Sequence, residues 1–87
     1  MTIDEKKAVL ANLDEDILLA DGLDDALIGF VSSYNKYLAV YDRRKCIELL
    51  MTNDGMTEEQ AEDFFTFNVE GAFVGPNTPV FLTRFED

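Results

Sequence analysis

The stretch ALIGFVSSYNKYLAVYDRRKCIELLMTNDGMTEEQAEDFF, residues 26–65, decides the fold. It opens on two short apolar and aromatic runs, residues 26–33 and 37–42, separated by Tyr34-Asn35-Lys36. Two such runs around turn-forming residues predict a β-hairpin. Strict alternation puts Ile28, Phe30, Leu38 and Val40 on the faces that suit a core. It puts Gly29, Val31, Tyr37, Ala39 and Tyr41 on the others, to face solvent, a partner or a second layer. Asp42 then serves as N-cap of a helix over residues 43–53. Its apolar residues Cys46, Ile47, Leu49, Leu50 and Met51 cover more than half the circumference, which predicts a largely buried helix. Asp54-Gly55 stops it, Gly55 suiting the left-handed position after the last turn.

Thr57 and Gln60 have the spacing of a capping box, and Glu58 and Glu59 fall in the first turn, where the helix dipole favours acids. The second helix is predicted over 58–73, with Ala61, Phe65, Val69 and Ala72 along one stripe. Asp63, Glu70 and Phe67 fall on the opposite side. Working outward, Thr2 and Glu5 form another capping box, so a short helix runs to about Leu13 within an N-terminal extension, residues 1–16. Residues 17–20 read equally as a strand or a turn of helix, and Asp21-Gly22 and Asp24-Asp25 mark a break. Gly75-Pro76-Asn77 breaks the chain again before a last strand over 78–85. The outline is a small two-layer α+β domain spanning residues 1–87: an N-terminal helix, then hairpin, two helices and a C-terminal strand.

Charge narrows the partners. Lys and Arg number 7 against 18 Asp and Glu, a net −11 on 87 residues with no histidine. A field of that sign repels DNA, RNA and anionic membranes and attracts basic protein surfaces, so neither nucleic acid nor a membrane is an expected partner. Hydrophobic residues at 47%, with seven Phe and three Tyr, separate the chain from disordered acidic tails. A single cysteine, Cys46, closes no internal disulfide, and the opening residues lack a secretory-signal pattern. The expected location is the cytoplasm.

Four segments carry a resemblance: YDRRKCIELLM (41–51), DGMTEEQAEDFF (54–65), FNVEGAFVG (67–75) and TPVF (78–81). Together they resemble a widespread family of small proteins found mainly in tailed-phage genomes and prophages. The likeness covers residues 19–81. It implies viral origin and brings no reaction with it. The segment before residue 17 and the pair Arg43-Arg44 depart from the family pattern.

The residue inventory argues against catalysis. Without histidine there is no imidazole base, no Ser-His or Cys-His pair and no imidazole ligand. Cys46 lies on the apolar arc of its helix, so it reads as a small core hydrophobe. Carboxylate pairs such as Glu58/Glu59 and Glu62/Asp63 follow from eighteen acids, and none has calcium-loop spacing. The expectation is no enzyme, no metal and no cofactor. Asn68, at the centre of the second helix's stripe, is expected to be a structural amide that ties the helix to loop 74–78. Phe67 among acids marks either a second packing layer or a contact patch. Arg43 and Arg44 crowd a helix N-terminus, where the dipole disfavours cations, which predicts pairing with nearby acids or a docking role. Partner-contact candidates are Phe67, Asp63, Glu62, Glu70, Tyr37, Tyr41, Arg43 and Arg44. The leading expectation is a phage-encoded module that binds a basic host or defence protein, by charge mimicry or by occlusion. The alternative is a structural accessory protein that self-associates as a dimer.

Overall fold

Two successive left-handed residues, Tyr34 at φ 49° and Asn35 at φ 66°, make the hairpin turn. Positive φ at both central positions belongs to the two-residue turn whose twist matches that of its strands. In the computed structural model, which describes residues 1–86, this turn joins β1 (Leu27–Ser33) to β2 (Lys36–Asp42), with Ser33 opposite Lys36. A short β3 (Val80–Leu82) pairs in parallel on the other side of β2, Tyr41 opposite Phe81, giving the order β1-β2-β3. A parallel neighbour needs a long crossover, and two helices supply it.

Those helices are α2 (Arg43–Asp54) and α3 (Glu58–Phe65), and α1 (Ile3–Leu13) precedes the hairpin. Their boundaries follow local chemistry. Thr2 and Glu5 cap α1 reciprocally, the Asp42 carboxylate accepts from Lys45 N–H, and Thr57 and Gln60 form the box that opens α3. Gly55 ends α2 at φ 67°, a conformation glycine adopts without a Cβ penalty. After Phe65 the chain does not continue as an α-helix. It widens into a π-helical segment, Thr66–Glu70, and stops at Gly71. A Cβ on Gly71 would lie 2.9 Å from the Thr66 carbonyl oxygen, so the exit from the π segment leaves no room for a side chain.

One apolar cluster joins the layers. Tyr41, Phe65, Leu27, Ile47 and Cys46 are its largest fully buried members, with Leu10 reaching in from α1. Phe81 packs edge-on to Phe65 at 4.9 Å between centroids and lies 5.7 Å from the Tyr41 ring. Each such fully buried apolar side chain contributes about 1.5–3 kcal/mol, so α1, α2, α3 and β3 are held by a shared core more than by propensity. The Tyr41 hydroxyl is satisfied by the Ala20 N–H at 2.8 Å, which pins the segment before the hairpin.

Four expectations are corrected. The hairpin faces do not divide as expected: Ala39 and Tyr41 are buried together with the expected Val40, whereas Ile28 and Phe30 are exposed. A bulge between Leu27 and Gly29 shifts the register by one, so Phe30 pairs with Ala39 and turns with the odd-numbered residues of β2. The second helix is shorter than 58–73, and the π segment breaks the periodicity that extended it. Asn68 is exposed and donates to the Phe64 carbonyl in its own helix, so it does not tie down loop 74–78. The buried amide is Asn77, 5% exposed. Its Nδ2 donates to Asp14 Oδ2 at 3.0 Å and to the Tyr37 carbonyl at 3.1 Å. That one side chain joins the end of α1, the start of β2 and the loop before β3. The C-terminal strand is confined to three residues of the expected 78–85, and residues 17–20 form no regular element.

Candidate functional site

Charge is concentrated outside the strands. β1, β2 and β3 together contain one cation, Lys36, and one anion, Asp42. The whole excess of acid therefore sits on helices and connections. A partner drawn by that field approaches the helices and connections, away from the strands.

Arg43 organises part of that side. Its Nε donates to Glu70 Oε2 at 3.0 Å and its Nη2 to Glu62 Oε2 at 3.0 Å, while the guanidinium carbon stands 5.3 Å from the Phe65 ring centroid. Hydrogen bonds donated to Glu62 and then to Glu70 push the Arg43 pKa up, and the same contact with Arg43 holds the Glu62 carboxyl below its ordinary range. Arg44 bonds Glu58 at 2.6 Å and lies 3.8 Å from Glu48. Arg43 and Arg44 thus bind acids of α2, α3 and the π segment. Glu62 and Glu70 are engaged in holding α3 and the π segment onto α2, and that internal pairing accounts for the unfavourable position of Arg43 against the dipole.

The remaining candidates separate cleanly. Tyr41 is buried and offers a partner no surface. Tyr37 is half-buried, its ring against Phe30 at 5.9 Å and its backbone held by Asp14 and Asn77. Asp63 is exposed and Phe67 is 78% exposed. Residues four apart share a helix face, so Glu59, Asp63 and Phe67 run along the outside of α3 into the π segment. Among the described residues, Glu59 and Asp63 make no ion pair within 4 Å, so their field is open to solvent.

Phe64, next to that stripe, walls a cleft of about 350 Å³ that sequence reasoning missed. Leu23, Leu49, Leu50 and Val69 are apolar lining, and Asp21 and Asp54 are acidic lining. Asp54 is also the last residue of α2, a helix with no basic residue in its final turn, so the negative end of the dipole adds to the two carboxylates. Asp21-Gly22 and Asp54-Gly55 are each legible as turns. What a linear reading lacks is that the two turns meet over one apolar floor. An apolar floor with an acidic rim suits a cationic group on an apolar stem, such as a lysine or arginine side chain.

Cys46 is fully buried, and burial pushes its thiol up to about 12, so it is protonated at neutral pH. Thiol attack requires the thiolate, which this position disfavours. Among the described residues, no three Asp, Glu or Cys side chains gather as a metal site, and no helix is long and apolar enough to cross a membrane. Comparison with protein-family models, curated proteins and solved structures returned no match.

Proposed function

We propose that this chain is a small phage-encoded module that binds a host protein carrying a basic surface, such as a nucleic-acid-handling or anti-phage defence protein, and blocks it by occlusion. Viral origin rests on the resemblance of residues 41–51, 54–65, 67–75 and 78–81. The binding mode rests on one observation: an acidic-rimmed cleft between Asp21 and Asp54 is walled by Phe64, and the same helical stretch exposes Phe67 three residues further on. Carboxylates there steer a basic partner, and the apolar floor and rings supply the area that holds it. Occlusion fits this surface better than imitation of a phosphate backbone, because apolar groups interrupt the acids.

The test is affinity capture from host lysate, then association kinetics with the captured partner. Asp54→Lys with Asp63→Lys should slow association by about tenfold or more at low salt, with the difference shrinking as salt rises. Neither residue holds the fold, and a lysine at the end of α2 complements its dipole. Phe67→Ala should act chiefly on the dissociation rate. Capture that is indifferent to both changes would remove the proposal.

A further inference from the structure

β2 turns Tyr37, Ala39 and Tyr41 to one side of the sheet and Lys36, Leu38, Val40 and Asp42 to the other. Tyr41 and Ala39 enter the core. Register places Val31 of β1 beside Leu38, Gly29 and Val80 beside Val40, and Leu82 beside Asp42. Val31, Leu38, Val80 and Leu82 lie outside the core cluster and outside the residues packed against it, while Val40 between them is 8% exposed. Val31, Val80 and Leu82 are 43%, 36% and 45% exposed. A sheet with one solvated face normally alternates apolar-in and polar-out. This one is apolar on both sides.

We propose that the second face is where another copy of the chain docks, sheet against sheet, as a two-fold dimer. Charge selects the occupant. Contact between two copies through their helical layers sets acidic surface against acidic surface in molecules of net charge −11. The strand face, holding Lys36 and Asp42 alone, is where that repulsion is least. A basic partner finds little here, since Asp42 is the face's one carboxylate and already caps α2 and lies 3.5 Å from Arg84.

Area sets the strength. Seven residues make the longer strands roughly 23 Å long, and three strands make the face about 10–15 Å wide. That footprint is smaller than the roughly 800 Å² per partner of a standard interface, so the dimer is weak and depends on concentration. Its salt dependence is diagnostic. Screening relieves repulsion between two acidic copies, so self-association tightens with added sodium chloride, whereas capture of a basic partner loosens.

Sedimentation equilibrium of the full chain, from micromolar to millimolar, tests this at about 0.01 M and 1 M salt, where the screening length falls from roughly 30 to 3 Å. The expected result is a monomer–dimer equilibrium that strengthens at high salt. Val31→Lys with Leu82→Lys should weaken it at least tenfold while circular dichroism and melting stay close to wild type, because both side chains are already exposed. Phe67→Ala should leave it unchanged. A monomer throughout at high salt overturns the proposal, as does a dimer that survives the double lysine change or one that Phe67→Ala dissolves. None of these results bears on capture of a basic partner, which uses the helical side.

Discussion

At the scale of single residues, two asparagines nine positions apart exchange the roles a linear reading gives them. Asn77 is buried and bridges Asp14 to the Tyr37 carbonyl, whereas Asn68 is exposed on its own helix. Asn77→Leu should therefore destabilise the chain by about 1–3 kcal/mol, the cost of leaving buried polar partners unsatisfied. Asn68→Leu should stay within about 0.5 kcal/mol, as surface substitutions do. Urea unfolding of the two variants decides it, and equal losses would contradict the bridge. The bridge was illegible because its partners lie 63 and 40 residues away in sequence. Cys46, by contrast, was legible as a core residue from its position on an apolar arc. Cys46→Ala should cost stability through the space it leaves, and the native thiol, pushed up to about 12, should resist alkylation at pH 8 until the chain unfolds.

At the scale of elements, what the sequence disclosed was the part that local chemistry controls. Thr2 with Glu5, Asp42, Gly55 and Thr57 with Gln60 each act within four residues, so the ends they set are where a linear reading puts them. The strand faces were hidden because the single extra residue at Ile28 reverses the phase of everything after it in β1. The far end of α3 was hidden for a related reason: a π segment abandons the 3.6-residue period that had extended the helix to residue 73. Only part of the candidate site was visible. Phe67 and Asp63 announced themselves as an aromatic among acids, but the cleft beside them is made by two turns that sequence keeps apart. The hairpin turn yields a prediction of its own. Tyr34 holds φ 49° with its side chain exposed, and left-handed backbone suits asparagine better than tyrosine. Tyr34→Asn should raise stability by roughly 0.5–1 kcal/mol in thermal unfolding, and a loss would mean that the ring makes a contact worth more than the strain.

At the scale of the whole molecule, the concentration of charge outside the strands opposes the fold that carries it. The excess acid on helices and connections repels itself, and a compact state suffers more from that than an expanded chain. Salt should accordingly raise the melting temperature at pH 7. Acid acts in two directions. Lowering pH from 7 toward the isoelectric point near 4.1 relieves the repulsion. Against this stand Glu62, held low by Arg43, Asp14, held low first by the Asp16 N–H and further by Asn77 and Tyr37, and Glu5, held low by Thr2. A carboxyl whose folded pKa lies below its unfolded value adds stability above the unfolded value, near 3.9 for Asp and 4.3 for Glu, and loses it as pH falls through the folded one. Melting temperature should therefore climb modestly as pH drops from 7 to about 5, then fall below about pH 4 as these three carboxyls protonate. Glu62→Gln should remove part of the acid-side fall, because the variant has no proton left to take up there, and should lower stability at pH 7, where Arg43 loses a charged partner. A melting temperature that declines steadily from pH 7 downward would mean that ion pairs outweigh self-repulsion across the whole range, and that the excess acid is better neutralised from within than the pairs of Arg43 and Arg44 account for.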